Sequence, residues 1–215
     1  MGVYKYDYNW NFFTDSEQMY YFLGFIAADG YISDSSIEIG VNIQDRYLLE
    51  QFRDWIVPDM PLHDKPNTNS VTLKLNCRNR VWMFKSFFNM TTNKKGLEIR
   101  YPNCIPDQYT KDFIRGIIDG NGSIGIQKAY RGEKVYYGPR LRIFGNKNFM
   151  EDINDQIKRF ILHKVTHAHK KGRENVYYLD YNFKTARNIL HWVYDNNQVC
   201  LLRKYNRFIE VDQLR

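Results

Sequence analysis

Residues 22–32 read F-L-G-F-I-A-A-D-G-Y-I, and residues 114–124 read I-R-G-I-I-D-G-N-G-S-I. Each stretch is apolar at helical spacing, then carries an acid or amide next to glycine, then turns into a strand. Small residues recur three or four apart: Gly24, Ala27 and Ala28 in the first copy, Gly116 and Gly120 in the second. That spacing lets two helices approach backbone to backbone. The repeat therefore predicts two related halves with the two helices packed together. Asp29 and Asn121, its counterpart in the second copy, would then meet at one end of the pair.

Working outward, both halves show the same order of elements. In the first half a helix over 16–29, cappable by Asp15 or Ser16, stops at Gly30. Apolar and polar residues alternate over 37–44, with Ile37, Ile39, Val41 and Ile43 opposite Glu38, Gly40, Asn42 and Gln44. That period of two is a half-buried strand. It forms a hairpin with 31–33 through the turn 34–36. Helices over 45–56 and 80–89 flank strands at 62–65 and 71–76. The second half repeats the order: a helix over 110–120, a hairpin of 123–128 with 137–144, and a helix over 148–162. Strands at 164–170 and 176–181 follow, then helices over 184–194 and 201–210. The second hairpin's apolar face comprises Ile124, Ile126, Leu141 and Ile143. The expected organisation is a first repeat over 16–95, a linker over 96–108 containing two prolines, and a second repeat over 109–210.

The 215 residues suffice for one large domain or two small ones. Hydrophobic residues make up 43%, which argues against disorder, and a net charge of +7 favours a polyanionic partner. No run approaches the ~18 apolar residues of a membrane helix, so no membrane partner is expected. Cys77, Cys104 and Cys200 are odd in number and far apart, neither a disulfide frame nor a zinc site. His167 and His169, with His163 nearby, place imidazoles on one strand, but no Cys or carboxylate joins them, so zinc is not expected. The aromatic stretch 4–13 is read as packing.

The two motifs resemble those of the LAGLIDADG homing endonucleases in their single-chain, two-motif form. The resemblance runs through Gly24, Phe25, Ile26, Ala28, Asp29 and Gly30, and through Gly116, Ile117, Ile118, Asp119, Gly120 and Gly122. It implies an α+β molecule of two pseudo-symmetric αββαββα repeats. The motif helices would pack at the centre and two antiparallel sheets would form a DNA-binding saddle. It also implies a monomer that hydrolyses both strands of a long DNA target across the minor groove, leaving short 3′ overhangs. The biological setting would be intron homing by a mobile genetic element, inside a cell: cytoplasm, nucleoid or organelle.

Hydrolysis of a phosphodiester needs an activated water, charge relief at the phosphate and a stabilised leaving oxygen, which divalent ions supply. Magnesium or manganese is the implied cofactor, and calcium could occupy the sites without supporting cleavage. Asp29 is the expected metal ligand of one site and Asn121 of the other, with backbone carbonyls of Ala28 and Gly120 as further ligands. The amide at Asn121 brings no charge, so a weak second site and a nicking or impaired enzyme are expected. Asp119 cannot stand in, because two residues along a helix is about 200° of rotation; a structural role is expected for it. The resemblance adds a lysine near each site, matched by Lys95 and Lys204. DNA contacts would come from Tyr31, Ser33, Glu38, Asn42, Gln44, Thr72, Lys74 and Asn76 of the first sheet. In the second they would come from Ser123, Gln127, Arg140, Arg142, His167 and His169, with Lys170, Lys171 and Arg173 beside a loop. The alternative reading is a cleavage-deficient relative that acts as an intron RNA maturase or as a DNA-binding regulator.

Overall fold

A computed structural model of the chain describes residues 6–161, 167–172 and 175–214. In the first half, helix α1 (Glu17–Asp29) leads into strands β1 (Tyr31–Ile32) and β2 (Ile37–Asn42). Helix α2 (Arg46–Ile56), strands β3 (His63–Lys65) and β4 (Ser70–Leu75), helix α3 (Val81–Phe87) and the single turn α4 (Lys95–Glu98) follow. The second half contains helix α5 (Thr110–Asn121), strands β5 (Gly122–Arg131) and β6 (Lys134–Gly145), and helix α6 (Lys147–Ile161). Strands β7 (His169–Lys170) and β8 (Tyr177–Asn182) and helices α7 (Phe183–Tyr194) and α8 (Leu202–Asp212) complete it. Both sheets are antiparallel, ordered β1-β2-β4-β3 and β5-β6-β8-β7. The α+β architecture of two matched repeats expected from the sequence is present.

The motif helices form the centre. The Ser16 hydroxyl accepts the Met19 N–H at 3.2 Å and caps α1. Every residue from Met19 to Ala27 is buried, so α1 is an interior helix with no solvent face. A Cβ on Gly24 would lie 2.0 Å from the Phe113 carbonyl oxygen, and one on Gly116 would lie 2.2 Å from that of Tyr21. A Cβ on Gly120 would lie 2.5 Å from that of Ala28. The backbones of α1 and α5 therefore touch, and only glycine fits at these crossings. The two C-termini lie at the same end of the pair.

One buried charge helps lock the halves together. Arg115 is fully buried and donates to Glu17 and Asp112 at 2.8 Å each, to the Val199 carbonyl at 2.9 Å and to that of Val193 at 3.0 Å. Its guanidinium also sits 5.3 Å over the Tyr21 ring. A buried guanidinium is tolerated because its hydrogen bonds and carboxylate partners replace water.

Each sheet turns an apolar face to its helices. Ile37, Ile39, Val41, Val71, Leu73 and Leu75 are buried in the first, and Leu141, Ile143, Leu179 and Tyr181 in the second. Two expectations need correcting. Strand β2 ends at Asn42, whose Oδ1 accepts the Gln44 N–H at 3.0 Å and starts a 3-10 turn over Ile43–Asp45. Gln44 is therefore not on the strand. Ile126 is 45% exposed, because the β5–β6 ladder runs on to Arg131 and Lys134, past the helices that cover Leu141 and Ile143. The aromatic segment before α1 does pack: Phe12 stacks on Trp55 and Phe13 meets Phe22 and Phe84 edge-on. No described helix is long and apolar enough to cross a membrane.

Candidate active site and nucleic-acid interface

Two helix C-termini converge where α1 and α5 end, and the partial negative charge there calls for cations. Lys95 and Lys204 supply two. Lys95 Nζ donates to the carbonyls of Ile26 at 2.8 Å and Ala28 at 3.2 Å. Lys204 Nζ donates to those of Ile118 at 2.7 Å, Asp119 at 2.6 Å and Gly122 at 2.7 Å. Burial pushes both ammonium groups down to about 8, against the pull of Asp29 on Lys95 and of Asp119 on Lys204. An ammonium has three donors. All three of Lys204's are taken, so it has none to offer a water or phosphate; its geometry is that of a helix cap. Lys95 keeps one in reserve.

Asp29 is exposed at the end of α1 and, among the described residues, makes no hydrogen bond or ion pair. Loss of hydration at this crowded helix end raises its pKa above the usual carboxylate value, while Lys95, Lys204 and Arg203 pull it down. The carboxylate faces a cleft of about 340 Å³ shared with Gly120, Asp119, Glu38, Thr72, Lys65 and Arg203. Arg203, which the sequence reading missed, is held by its Nε on the buried Asp45 at 2.7 Å. Its adjacency to Lys204 was the available signal.

Asn121 occupies a separate cleft of about 200 Å³ with Ala28, Lys95, Gly96, Phe144 and Asn146. Its Nδ2 donates to the Phe144 carbonyl at 3.1 Å, which leaves Oδ1 for any further contact. The Ala28 carbonyl on this side is already an acceptor for Lys95. Asp119 borders the Asp29 cleft, but its carboxylate is committed to protein donors. It is buried and accepts from Tyr21 at 2.8 Å, Tyr194 at 2.5 Å and the Leu201 N–H at 2.7 Å. Burial raises its pKa, and those donors with Lys204 oppose the rise.

Among the described residues no three His, Cys, Asp or Glu side chains are placed to hold a metal ion together. A hard divalent ion tolerates that, because magnesium binds through one or two carboxylates, carbonyls, waters and substrate phosphates. The unpaired Asp29 carboxylate beside two helix C-termini suits such an ion. The neutral Asn121 site suits it less.

The expected DNA-contact residues fall into distinct groups. Tyr31, Asn42, Lys74 and Asn76 are exposed around the first sheet. Glu38 pairs with Lys65 at 2.9 Å. Ser33 is consumed by its turn, accepting the N–H groups of Ser35 and Ser36 and donating to the Ser36 carbonyl. Thr72 is 3% exposed, flanked in register by Gly40 and His63, and borders the Asp29 cleft. In the second sheet Ser123, His169 and Lys170 are exposed, and Gln127, Arg140 and Arg142 are half-buried; His167, expected on the strand, and Lys171 are exposed but lie just outside β7. Arg173 and His163 lie outside the described residues. Asp180, unforeseen, holds both arginines: Arg140 by two bonds and Arg142 Nε at 3.2 Å.

The registers of the two sheets correspond. Tyr31 pairs with Glu38 and Glu38 with Lys74; Ser123 pairs with Arg142 and Arg142 with Asp180. His63 opposes Thr72 as His169 opposes Tyr178. Matched central positions thus carry opposite charge.

No protein-family model and no curated protein sequence matches the chain. Solved structures do. The I-LtrWI LAGLIDADG homing endonuclease bound to target DNA superposes with a TM-score of 0.65 at 11% identity, over 91% of this chain and 89% of that one. The LAGLIDADG meganuclease I-CpaMI bound to uncleaved DNA gives 0.64 at 12% identity, over 93% and 91%. I-SmaMI bound to an uncleaved DNA target in the presence of calcium ions gives 0.60 at 9% identity, over 92% and 89%. The chain has the single-chain, two-repeat LAGLIDADG homing endonuclease fold.

Proposed function

We propose that the chain is a site-specific DNA endonuclease of the LAGLIDADG homing class, built of repeats 16–95 and 109–210, and that it acts as a monomer on a long duplex target. The observation that carries this reading is the pairing at one helix end of an unpartnered carboxylate, Asp29, with a matched amide, Asn121, at the centre of a fold shared with DNA-bound endonucleases. A divalent ion, magnesium or manganese, would be held by Asp29, with the Gly120 carbonyl, water and scissile phosphate completing its shell. That ion supplies charge relief at the phosphate and a more acidic water. Arg203 reaches the same cleft and can neutralise phosphate oxygens. At the other cleft Asn121 offers only a neutral oxygen, beside the spare donor of Lys95. Cleavage on that strand is therefore slow, and a nicked duplex is the main product.

The clamped Asn121 amide also favours a second reading, a DNA- or intron-RNA-binding relative that no longer cuts. Target selection followed by Mg2+-dependent cleavage of supercoiled plasmid separates the two. A nicked circle that accumulates before linear product is expected, and Asn121→Asp should speed linearisation. Selective binding with no Mg2+-dependent nicking would favour the non-cutting reading. Linearisation as fast in the natural chain as in Asn121→Asp would remove the asymmetry.

A further inference from the structure

The Arg140–Asp180–Arg142 cluster lies mid-sheet, on the face opposite the core. Its arrangement is more specific than a basic patch. Asp180 takes two nitrogens of Arg140 and the Nε of Arg142; burial pushes its carboxyl up, but the hydrogen bonds and positive charge of the two arginines outweigh that and hold it below its usual value. The Arg142 guanidinium also lies 5.5 Å over the Tyr178 ring. Among the described residues its two terminal nitrogens make no hydrogen bond. A guanidinium fixed at its Nε edge presents the parallel N–H pair that matches guanine O6 and N7 in the major groove. Neighbouring Gly125, paired with Arg140, has open space where a Cβ would be, so nothing on β5 blocks an approaching base edge there.

Resting on the proposed DNA-binding function, we propose that Arg142 reads a guanine in the half-site under the second sheet and that Asp180 is its positioning residue. The matched position of the first sheet is Glu38, an acceptor that cannot pair with guanine O6 or N7. The target therefore departs from palindromic symmetry at this pair of positions. A phosphate contact is disfavoured because Arg142 sits on a central strand, with its side chain already oriented by two neighbours, and not at a loop tip.

The test is selection of bound duplexes from a randomised pool in Ca2+, run with the natural chain, Arg142→Gln and Asp180→Asn. Binding to a selected site is then measured with 7-deazaguanine replacing the guanine. Expected are a guanine in one half-site without its dyad mate and a loss of roughly tenfold in affinity with the N7-less base. Both variants should lose most of that discrimination while preferences elsewhere stay unchanged. A selected site without such a guanine, or indifference of the natural chain to 7-deazaguanine, would overturn this inference alone; the second arm needs no variant to fold. Discrimination that survives in both variants would do the same. A flat selection profile for all three proteins would overturn the DNA-reading function as well.

Discussion

The two halves share a backbone plan and differ in charge at corresponding places. At the helix ends one half carries an unpaired carboxylate, Asp29, and the other an amide, Asn121, that is tied to the Phe144 carbonyl. Behind them one lysine has a donor to spare and the other has none. On the sheets Glu38 stands where the other half has Arg142, and Lys74 where it has Asp180. Backbone symmetry and side-chain asymmetry have different causes. The helix crossing and strand registers need small or apolar residues in both halves, whereas polar positions off the core are under no such constraint.

The largest effect should come from making the two helix ends alike in the wrong direction. Asp29→Asn is expected to lower Mg2+-dependent nicking by roughly a thousandfold, the several kcal/mol a lost metal ligand costs. Thermal unfolding should barely move, since Asp29 has no partner to lose. Retention of nicking would place the chemistry elsewhere.

Next come changes to what the halves share. Arg115→Met leaves Asp112 and Glu17 without their cation and should cost about 3–5 kcal/mol in denaturant unfolding. Gly116→Ala drives a methyl into the Tyr21 carbonyl and should cost about 1–3 kcal/mol or more. An unfolding midpoint unchanged by either would show that the helix crossing differs from the one described.

The lysines allow a pH test. Lys204 ionises near 8 in the folded chain and near 10.5 when unfolded. Between those values the unfolded chain holds more protons, so stability rises with pH through this window and is flat below it. In metal-free protein the rise from pH 8 to 9.5 should total roughly 3 kcal/mol from the two lysines together. It should shrink by about half in Lys204→Met, because Lys95 contributes the rest. A slope of opposite sign would mean that neither lysine is buried as described. The smallest effect is expected for Ser33→Ala, about 1 kcal/mol of stability from the lost turn bonds, with DNA affinity unchanged.

Much of this was legible in the chain. The repeated phrase exposed the helix pair because glycine at helical spacing has few other uses, and period-two alternation exposed the strands. Asp29 and Asn121 followed from aligning the copies. Asp119 could be assigned to structure by helix geometry alone. The rest required knowing what surrounds each group. Ser33 and Thr72 have the residue types of surface readers, but one closes a turn and the other is covered by its neighbours. Lys204 looks catalytic until its three acceptors are counted. Asp180 has no motif, and its role exists only because β8 pairs with β6.

Sequence by itself determined the two-fold plan, the place of the proposed site at the end of paired helices and the mismatch between Asp29 and Asn121. These depend on spacing along one element, and spacing is written in the chain. Tertiary structure decided which polar atoms are spent and which are spare: the saturation of Lys204, the clamp on Asn121 and the bracing of Arg142. A hydrogen bond is set by the positions of both partners, and those partners lie tens of residues apart until the sheets and helices bring them together.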